Sequence, residues 1–281
     1  MGCFTSKPAV NDSYEPSSFA MMLVPKKSLY KAPKEPLPKL TTLGAKILVV
    51  ATCDGRLTML NGKVFNSGVL PSELLVFLLH MKTAGFAFEF ANVSGKPVVL
   101  EEWGMPGKDD KCKAMRAEVQ SLMDAPKKLS DVSNKDYAGI YIPGGHGQLV
   151  NLTTSQDFGK LLHDAQKQGQ PVMALCHGPA ALIASNAGDS EFAYKGYKMA
   201  CFSAATDTGV APTVGYLPGK PPIVTETVLR DLGADVKGSE KGAVVVDREL
   251  ITGDSPAAEN KFAIAAVPIV VTYAEKANNQ A

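Results

Sequence analysis

Two patterns of hydrophobic positions alternate along most of this chain. Short uninterrupted apolar runs, of which 47–51 is the first, indicate strands that are buried on both faces. Between them lie longer segments in which apolar residues recur every three or four positions, as Leu74, Leu75, Leu78 and Leu79 do, and this spacing is typical of helices. The predicted strands cover 46–52, 86–93, 137–143, 170–175, 199–205, 242–246 and 249–252, and the predicted helices cover 71–85, 108–123, 154–168, 179–187, 222–233 and a last segment from about 256. Ser72 is the expected N-cap of the first helix.

Strands that alternate with helices predict an α/β fold in which a parallel sheet is sandwiched between helices. A ligand of such a sheet binds in the crevice outside the carboxyl ends of the strands. The functional side chains are therefore expected in loops that directly follow strands.

Proline content and broken periodicity divide the chain further. The first 45 residues hold six prolines and are expected to form an irregular arm that wraps the body. Residues 94–135 interrupt the strand–helix rhythm, and we expect an inserted lobe there. The predicted organisation is an arm at 1–45 and a core at 46–281, with a small extra lobe formed by the arm and the insertion at about 94–135.

Composition excludes several classes of protein. A chain of 281 residues that is 45% hydrophobic with a net charge of +1 is neither disordered nor built to coat nucleic acid. The longest apolar stretch, 262–273, contains Pro268 and is shorter than the ~20 residues of a membrane span, and the start of the chain lacks a secretory signal. The five cysteines include no CxxC pair, which indicates a reducing, cytoplasmic environment rather than a disulfide or zinc framework.

The segment 174–178, Ala-Leu-Cys-His-Gly, places Cys176 where a predicted strand turns directly into a predicted helix. Gly178 permits a tight turn, and the shape is that of a nucleophile elbow with cysteine in place of serine. The turn would expose the sulfur at the crevice. The helix N-terminus would favour the thiolate, so we expect Cys176 to be the most acidic thiol of the chain. The alternative is a buried structural cysteine beside an unrelated histidine.

Three further features lie near predicted strand ends. Residues 144–147, Gly-Gly-His-Gly, follow a strand, and their backbone N–H groups could approach an oxyanion, although a plain tight turn would look the same. Glu73 opens the first helix and could reach the elbow as a neutral carboxyl, or serve only as a partner of the helix dipole. Asp207 could orient an imidazole or cap a loop.

Taken together, these segments resemble the PfpI superfamily and, within it, the HchA-like branch of heat-shock chaperones and glyoxalase III enzymes. The resemblance runs in family order from about 46 to 256, and the arm matches only loosely. The matching segments are K-I-L-V-V, N-G-K-V-F-N-S-G, P-S-E, A-G-F-x-F-E, W-x-M-P, P-K-K-L, Y-x-x-I-Y-I-P-G-G-H-G, L-C-H-G-P-A-A, G-Y-x-P-G and T-G-D-S-P.

The resemblance implies a flavodoxin-like core, a homodimer and a Cys-His-Asp catalytic triad. The triad falls on Cys176, His177 and Asp207, and Glu73 occupies the position of the thiol's partner. The backbone N–H groups of Gly145 and His177 would be the oxyanion donors. His146, with Gly144 and Gly145, would line the substrate crevice.

Bacterial members of this branch often carry a metal site of two histidines and one glutamate. Its positions fall here on Lys82, Ala87 and Val119. Lysine is a poor ligand and the other two side chains cannot ligate, so we predict no metal there and no cofactor. His80 and His163 are expected to be ordinary helix residues.

The resemblance implies a cofactor-free glyoxalase of the lyase class (a D-lactate dehydratase) that detoxifies methylglyoxal to lactate, and glyoxal to glycolate, through a hemithioacetal on Cys176. The family is also credited with protein deglycation. Two alternatives come from other classes. A holdase chaperone of the stress response would bind unfolded proteins through exposed apolar surface, and a redox sensor would use the thiol itself. A peptidase is disfavoured because an enclosed crevice suits small substrates.

The N-terminus carries a separate signal. Met1-Gly2-x-x-x-Ser6 fits N-myristoylation, and the neighbouring Cys3 is placed for palmitoylation. Two acyl chains would tether the protein to a membrane in a eukaryotic cell, whereas in a bacterium the motif has no such meaning.

Overall fold

A computed structural model describes residues 5–8, 12–41, 44–188, 190–237 and 241–278. Its strands are β1 (Lys7–Pro8), β2 (Ser13–Glu15), β3 (Lys46–Val50), β4 (Arg56–Thr58), β5 (Val64–Asn66), β6 (Ala87–Asn92), β7 (Lys127–Lys128), β8 (Gly139–Ile142), β9 (Val172–Leu175), β10 (Lys198–Met199), β11 (Asp235–Val236), β12 (Val244–Asp247) and β13 (Leu250–Gly253). Its α-helices are α1 (Ser18–Leu23), α2 (Pro71–Thr83), α3 (Asp110–Asp124), α4 (Gln148–Asn151), α5 (Gln156–Gln168), α6 (Ala211–Thr213), α7 (Thr225–Asp231) and α8 (Glu259–Asn278). Short 3₁₀ helices cover Glu102–Gly104, Leu129–Asp131, Asn134–Asp136, Gly178–Asn186 and Pro256–Ala258, and a π-helical turn covers Thr206–Val210.

The central sheet has the strand order β12-β13-β9-β8-β3-β6-β7. Every neighbouring pair is parallel except β12 and β13, which are antiparallel. This arrangement confirms the predicted α/β fold. The carboxyl ends of β8 and β9 lie side by side, so the loops that begin at Pro143 and Cys176 meet at one edge.

Alternate residues of each central strand enter opposite cores, as the period of a strand requires. Ile47 and Val49 of β3 pack in the core that lies under α2, α3 and α8. Leu48 and Val50 pack in the core on the other face, with residues of α5 and of the helix Gly178–Asn186. Both faces of the sheet are therefore covered, which explains the uninterrupted apolar runs of the sequence.

A second, four-stranded sheet has the order β1-β2-β5-β4 and lies outside the predicted elements. It joins the arm to residues 56–66, where we expected a loop. The turn at Asn61-Gly62, with Gly62 at φ +79°, closes the antiparallel pair of β4 and β5. The strands of this sheet are only two or three residues long, too short for an alternation of apolar and polar residues to be recognised in the sequence.

Two local expectations are corrected. Helix α2 begins at Pro71 with Leu70 in the N-cap position, because proline suits the first helical turn, where its missing N–H costs nothing. Ser72 is therefore not the N-cap. The predicted strand 199–205 is reduced to Lys198–Met199, which pairs with β11 outside the central sheet.

Residues 94–135 contribute to the body of the protein as well as to its periphery. Helix α3 contributes Cys112, Met115, Val119 and Met123 to the core beneath α2, and β7 pairs with β6 at the edge of the central sheet. The division into arm, core and lobe stays a prediction.

Within the described ranges, no helix combines the length and apolarity needed to cross a membrane. Gly2 and Cys3, the residues of the predicted acylation signal, lie outside those ranges.

Candidate active site

Cys176 follows β9 directly and has the backbone angle φ 62°, a left-handed conformation that is strained for a residue with a side chain. Hydrogen bonds hold the strained residue on both sides: its N–H donates to the Gly253 carbonyl at 2.8 Å, and its carbonyl accepts from Phe202 N–H at 2.9 Å. At Gly178 a Cβ would lie 2.4 Å from the Ile142 carbonyl oxygen. The local sequence therefore forms a nucleophile elbow with a buried sulfur at its tip.

The imidazole of His177 links the thiol to a buried carboxylate. Its Nδ1 atom lies 3.5 Å from Cys176 Sγ, and its Nε2 atom lies 3.0 Å from Oδ2 of Asp207. Burial opposes the charge on Asp207, but the two neighbouring imidazoles outweigh it and hold the pKa of this carboxyl well below its usual range. An ionised Asp207 fixes the Nε2 atom of His177 as the donor, which leaves Nδ1 free to accept a proton from the thiol.

His146 shares the same carboxylate. Its Nε2 atom lies 3.0 Å from Oδ1 of Asp207, and its ring centroid is 3.8 Å from that of His177. Burial and the adjacent His177 lower the pKa of His146, so it is neutral near pH 7. The sequence analysis predicts that His146 lines the substrate crevice, and the structure adds that it binds the same carboxylate as His177.

Glu73 is fully buried in the first turn of α2, beside the elbow. A Cβ on Gly144 would lie 2.0 Å from its Oε2 atom, which shows how tightly the loop 144–147 packs on this carboxyl. Burial, reinforced by the charges of Glu259 and Glu101, raises the pKa of Glu73 well above its usual value. Among the described residues no group gives its oxygens a hydrogen bond of standard geometry, and the polar side chain that faces them is Cys176. Glu73 is therefore a neutral acid at pH 7 that can donate toward sulfur.

The electrostatics of the thiol differ from the sequence expectation. Burial raises the pKa of Cys176 well above that of a free cysteine, Glu73 and Asp207 raise it further, and the N–H of His177 is a smaller opposing influence. The expectation of an intrinsically acidic thiol is therefore wrong for the resting protein, because enclosure outweighs the N-terminus of a short 3₁₀ helix. A protonated Glu73 removes one of the two repulsive charges.

The loop after β8 supplies backbone N–H groups to the same place. Gly145 has φ +99°, and a Cβ there would lie 2.2 Å from the Gly68 carbonyl oxygen, so only glycine fits. The Gly144 carbonyl accepts from Leu70 N–H at 3.0 Å, which fixes the loop. In the described part of the chain no backbone carbonyl accepts from the N–H of Gly145 or of His177. These two groups are therefore available as the oxyanion donors that the family resemblance implies.

A cavity of about 160 Å³ lies over the sulfur. Its walls include Leu70, Glu101, His146, Cys176 and Phe202. This volume is well below the ~300–1,000 Å³ of pockets for drug-sized ligands and suits a small aldehyde. A second cavity of about 680 Å³ adjoins it, mostly apolar and bounded in part by Trp103, and the two share Leu70, Phe202 and Tyr216 as walls.

Glu101 is the site residue that sequence reasoning missed. It is buried in the wall of the inner cavity, whereas its neighbour Glu102 is exposed and pairs with Arg116. Nothing in the run Leu-Glu-Glu-Trp distinguishes the two glutamates, because only the tertiary fold decides which one faces inward.

The residues at the positions of the family's metal site are engaged elsewhere. Lys82 is exposed and pairs with Glu118, Ala87 is exposed, and Val119 packs in the core. At the elbow, two imidazoles and a carboxylate lie close together, but the Nε2 atoms of His146 and His177 both already hydrogen-bond to Asp207. A hydrogen-bonded relay accounts for this cluster without an ion. His80 and His163 bond to Asn260 and to the Ser185 carbonyl within their helical surroundings.

Comparison with solved structures agrees with this architecture. Glyoxalase III from Candida albicans aligns with a TM-score of 0.64 at 23% identity, covering 79% of this chain and 97% of that one. A protein from Francisella tularensis called Rapid Encystment Protein aligns with a TM-score of 0.68 at 20% identity, covering 81% of this chain and 99% of that one. At these identities the likeness shows the fold.

Sequence comparison finds relatives of higher identity. The protein/nucleic acid deglycase HchA of Pseudomonas aeruginosa is 37% identical over 229 residues, which cover 78% of each chain. The protein of that name from Escherichia coli is 40% identical over 236 residues, which cover 82% of each chain. The model of the DJ-1/PfpI family matches residues 64–268. With its elbow cysteine, its parallel sheet and these relatives, the chain belongs to the DJ-1/PfpI family.

Proposed function

We propose that this protein is a glutathione-independent glyoxalase that converts methylglyoxal and water into lactate, and glyoxal into glycolate. The observation that carries the proposal is the strained Cys176 in the wall of a small cavity, 3.5 Å from an imidazole that Asp207 orients. The buried thiol is reactive because proton acceptor and donor groups surround it. No cofactor is needed for the chemistry that follows.

The first step adds the thiol to the aldehyde. His177 Nδ1 accepts the thiol proton, and sulfur attacks C1 as the neutral acid of Glu73 stabilises the charge on sulfur. The aldehyde oxygen becomes negative, lies within reach of the N–H groups of Gly145 and His177, and then takes the proton back from the imidazolium. The product is a hemithioacetal on Cys176.

The second step moves hydrogen from C1 to C2. His177 removes the C1 proton, an enediol forms, and the proton returns at C2, which leaves lactate bound as a thioester. Carbon 1 is oxidised and carbon 2 is reduced, so the net reaction needs no external oxidant. One water then hydrolyses the thioester and restores the thiol.

A second candidate function is the removal of early aldehyde adducts from proteins or nucleotides. Two observations favour it: relatives 37–40% identical are named protein/nucleic acid deglycases, and the cavity of about 680 Å³ next to the inner chamber has room for the group that carries the adduct. The chemistry at Cys176 would be the same, with the amine as a leaving group. The larger cavity would hold the amine.

Lactate production by wild type and by Cys176→Ala tests the glyoxalase proposal. We expect wild type to form lactate from methylglyoxal without glutathione, and Cys176→Ala to form none above the uncatalysed rate. Cys201→Ala is the matched control, since Cys201 is also buried but lies outside the inner cavity. An equally active Cys176→Ala variant would contradict the proposal.

The same two proteins separate the enzyme from its rivals. A holdase would suppress the aggregation of an unfolded client equally well with and without the Cys176 thiol. A redox sensor would consume peroxide at Cys176 and leave methylglyoxal unchanged. The homodimer also stays a prediction, which light scattering of the purified protein would test.

A further inference from the structure

Glu101 places a second carboxyl in the wall of the inner cavity. Its side chain is 1% exposed, directly before the 3₁₀ helix Glu102–Gly104. Oε1 accepts a hydrogen bond from Ser67 Oγ at 2.8 Å, and the backbone N–H of His146 also points at the carboxyl. Oε2 has no partner among the described residues. One oxygen is therefore anchored and the other has no hydrogen-bond partner among the described residues, on a side chain that lines the same cavity as the nucleophile.

The surroundings keep this carboxyl between its two protonation states. Burial raises the pKa of Glu101 to about 7, against the opposing influence of His146 and of the hydrogen bond from Ser67. The other titratable groups that face it are Glu73 on α2 and Tyr216, and burial raises the pKa of each, so both are neutral near pH 7. A general acid–base group works best with a pKa near the working pH.

The proposed reaction needs such a group. Moving hydrogen from C1 to C2 changes the protonation of two carbon atoms and of two oxygen atoms. His177 handles the carbon-bound proton from the sulfur side of the substrate. While it holds that proton it cannot protonate the C2 oxygen, and Asp207 is engaged by two imidazoles.

We propose that Glu101 is a further catalytic residue, which carries a proton between the two substrate oxygens during the hydrogen shift; this inference rests on the proposed glyoxalase function. In the first half, His177 removes the C1 proton while the acid form of Glu101 protonates the C2 carbonyl oxygen, which gives a neutral enediol. In the second half, the Glu101 carboxylate takes the proton of the C1 hydroxyl as the thioester carbonyl forms, and the imidazolium protonates C2. Both residues return to their starting states.

The decisive variant is Glu101→Gln, which preserves size and hydrogen bonding to Ser67 but cannot exchange a proton. We expect kcat for lactate formation to fall at least 100-fold, within the 10²–10⁴-fold range of general acid–base catalysis. In wild type, kcat should fall as pH rises through about 7, because the acid form is needed first. Glu101→Gln should lose this pH dependence, and Glu101→Asp should keep it at a reduced rate. Glu102→Gln is the matched control and should behave as wild type, since Glu102 lies outside the cavity.

A second readout separates catalysis from structure. Alkylation of Cys176 does not involve the substrate oxygens, so Glu101→Gln should react with iodoacetamide within threefold of the wild-type rate. A Glu101→Gln variant that keeps more than a third of the wild-type kcat, or that shows the same fall above pH 7, overturns this inference alone. A Glu101→Asp variant whose Cys176 is alkylated at the normal rate but whose activity does not depend on pH also overturns this inference alone. If wild type forms no lactate, the proposed function fails, and this inference fails with it.

Discussion

At the scale of single residues, Cys176 and Glu73 share one buried environment that cannot hold two negative charges without cost. Burial raises the pKa of both groups, a negative charge on Glu73 raises the pKa of Cys176 further, and the contact with the thiol lowers the pKa of Glu73. One proton is therefore shared between the thiol and the carboxyl, and the pair titrates as a unit. When the thiol loses its proton to His177, the acid of Glu73 donates to the sulfur and stabilises the thiolate.

This sharing makes a prediction for Glu73 variants. Because Glu73 is neutral in the resting protein, replacing it relieves no repulsion of the thiolate and removes a group that stabilises it. Glu73→Gln keeps a donor but loses the mobile proton, and Glu73→Ala loses both, so we expect both to raise the apparent pKa of Cys176, Ala more than Gln. The loss in kcat/KM should exceed tenfold, equivalent to about 1.4 kcal/mol of transition-state stabilisation. The measurement is the rate of Cys176 alkylation as a function of pH, together with turnover. Glu118→Gln, which changes an exposed glutamate, is the control. Superimposable alkylation curves and normal turnover would mean that Glu73 only complements the helix dipole.

At the scale of elements, the elbow depends on how closely α5 approaches the helix Gly178–Asn186. Gly159 of α5 lies against the backbone of that helix, and a Cβ there would be 2.3 Å from the Ala184 carbonyl oxygen. His163 on the same helix bonds to the next carbonyl, that of Ser185, at 2.8 Å. The two helices are thus locked through backbone atoms, which cannot move aside as a side chain could.

Gly159→Ala tests this contact. In an open helix the change would add about 1 kcal/mol of stability through helix propensity. Here the overlap with a backbone oxygen should dominate, and we expect the free energy of unfolding to fall by about 1–2 kcal/mol. Denaturant titration measures the change. Lys160→Ala, at the exposed next position, should stay within about 0.5 kcal/mol of wild type. A Gly159→Ala variant as stable as wild type would show that α5 can shift away.

At the scale of the whole molecule, buried carboxyls make stability depend on pH. Burial raises the pKa of Glu101 and of Glu259 to about 7, and Glu259 also accepts the Leu29 N–H of the arm at 2.5 Å. A group whose folded pKa is raised contributes stability that is fully present below its unfolded pKa and is lost as pH rises through the folded pKa. His80 and His146 act in the opposite direction, because burial lowers their pKa.

Comparing the stability of Glu259→Gln with that of wild type at each pH measures the contribution of this one carboxyl to the pH dependence. Glutamine keeps the acceptor for Leu29 and cannot ionise, so the variant should match wild type near pH 5 and be more stable at pH 8. The difference should grow across this window to about 2–3 kcal/mol, and thermal unfolding at a series of pH values measures it. Glu275→Gln is the control, because Glu275 lies on the same helix and accepts hydrogen bonds from Thr41 of the arm, but its pKa is lowered rather than raised. A constant difference between pH 5 and 8 would contradict the assignment.

Much of the fold was predictable because its signals are local. The inner strands β3, β8, β9 and β13 of the central sheet are buried on both faces, so their apolar runs are visible without knowledge of their neighbours. Helices α2, α3 and α5 show helical spacing within their own lengths. The small sheet was not predictable, because its two halves meet where β2 pairs with β5, some fifty residues away along the chain. Strand β10 was also not predictable at its true length, because it pairs with β11, which lies more than thirty residues further along the chain.

Some features of the candidate site were likewise predictable from the sequence and others were not. The elbow was predictable from adjacent residues, since Cys176, His177 and Gly178 follow one another and a strand ends where they begin. Glu73 and Asp207 were identified through family resemblance. Three features became visible only in the folded chain: His146 and His177 bind one carboxylate, Glu101 rather than Glu102 lines the cavity, and burial raises the pKa of the Cys176 thiol. The physical reason is that a turn is set by neighbouring residues, whereas enclosure and the protonation states that follow from it are set by everything that folds around a group.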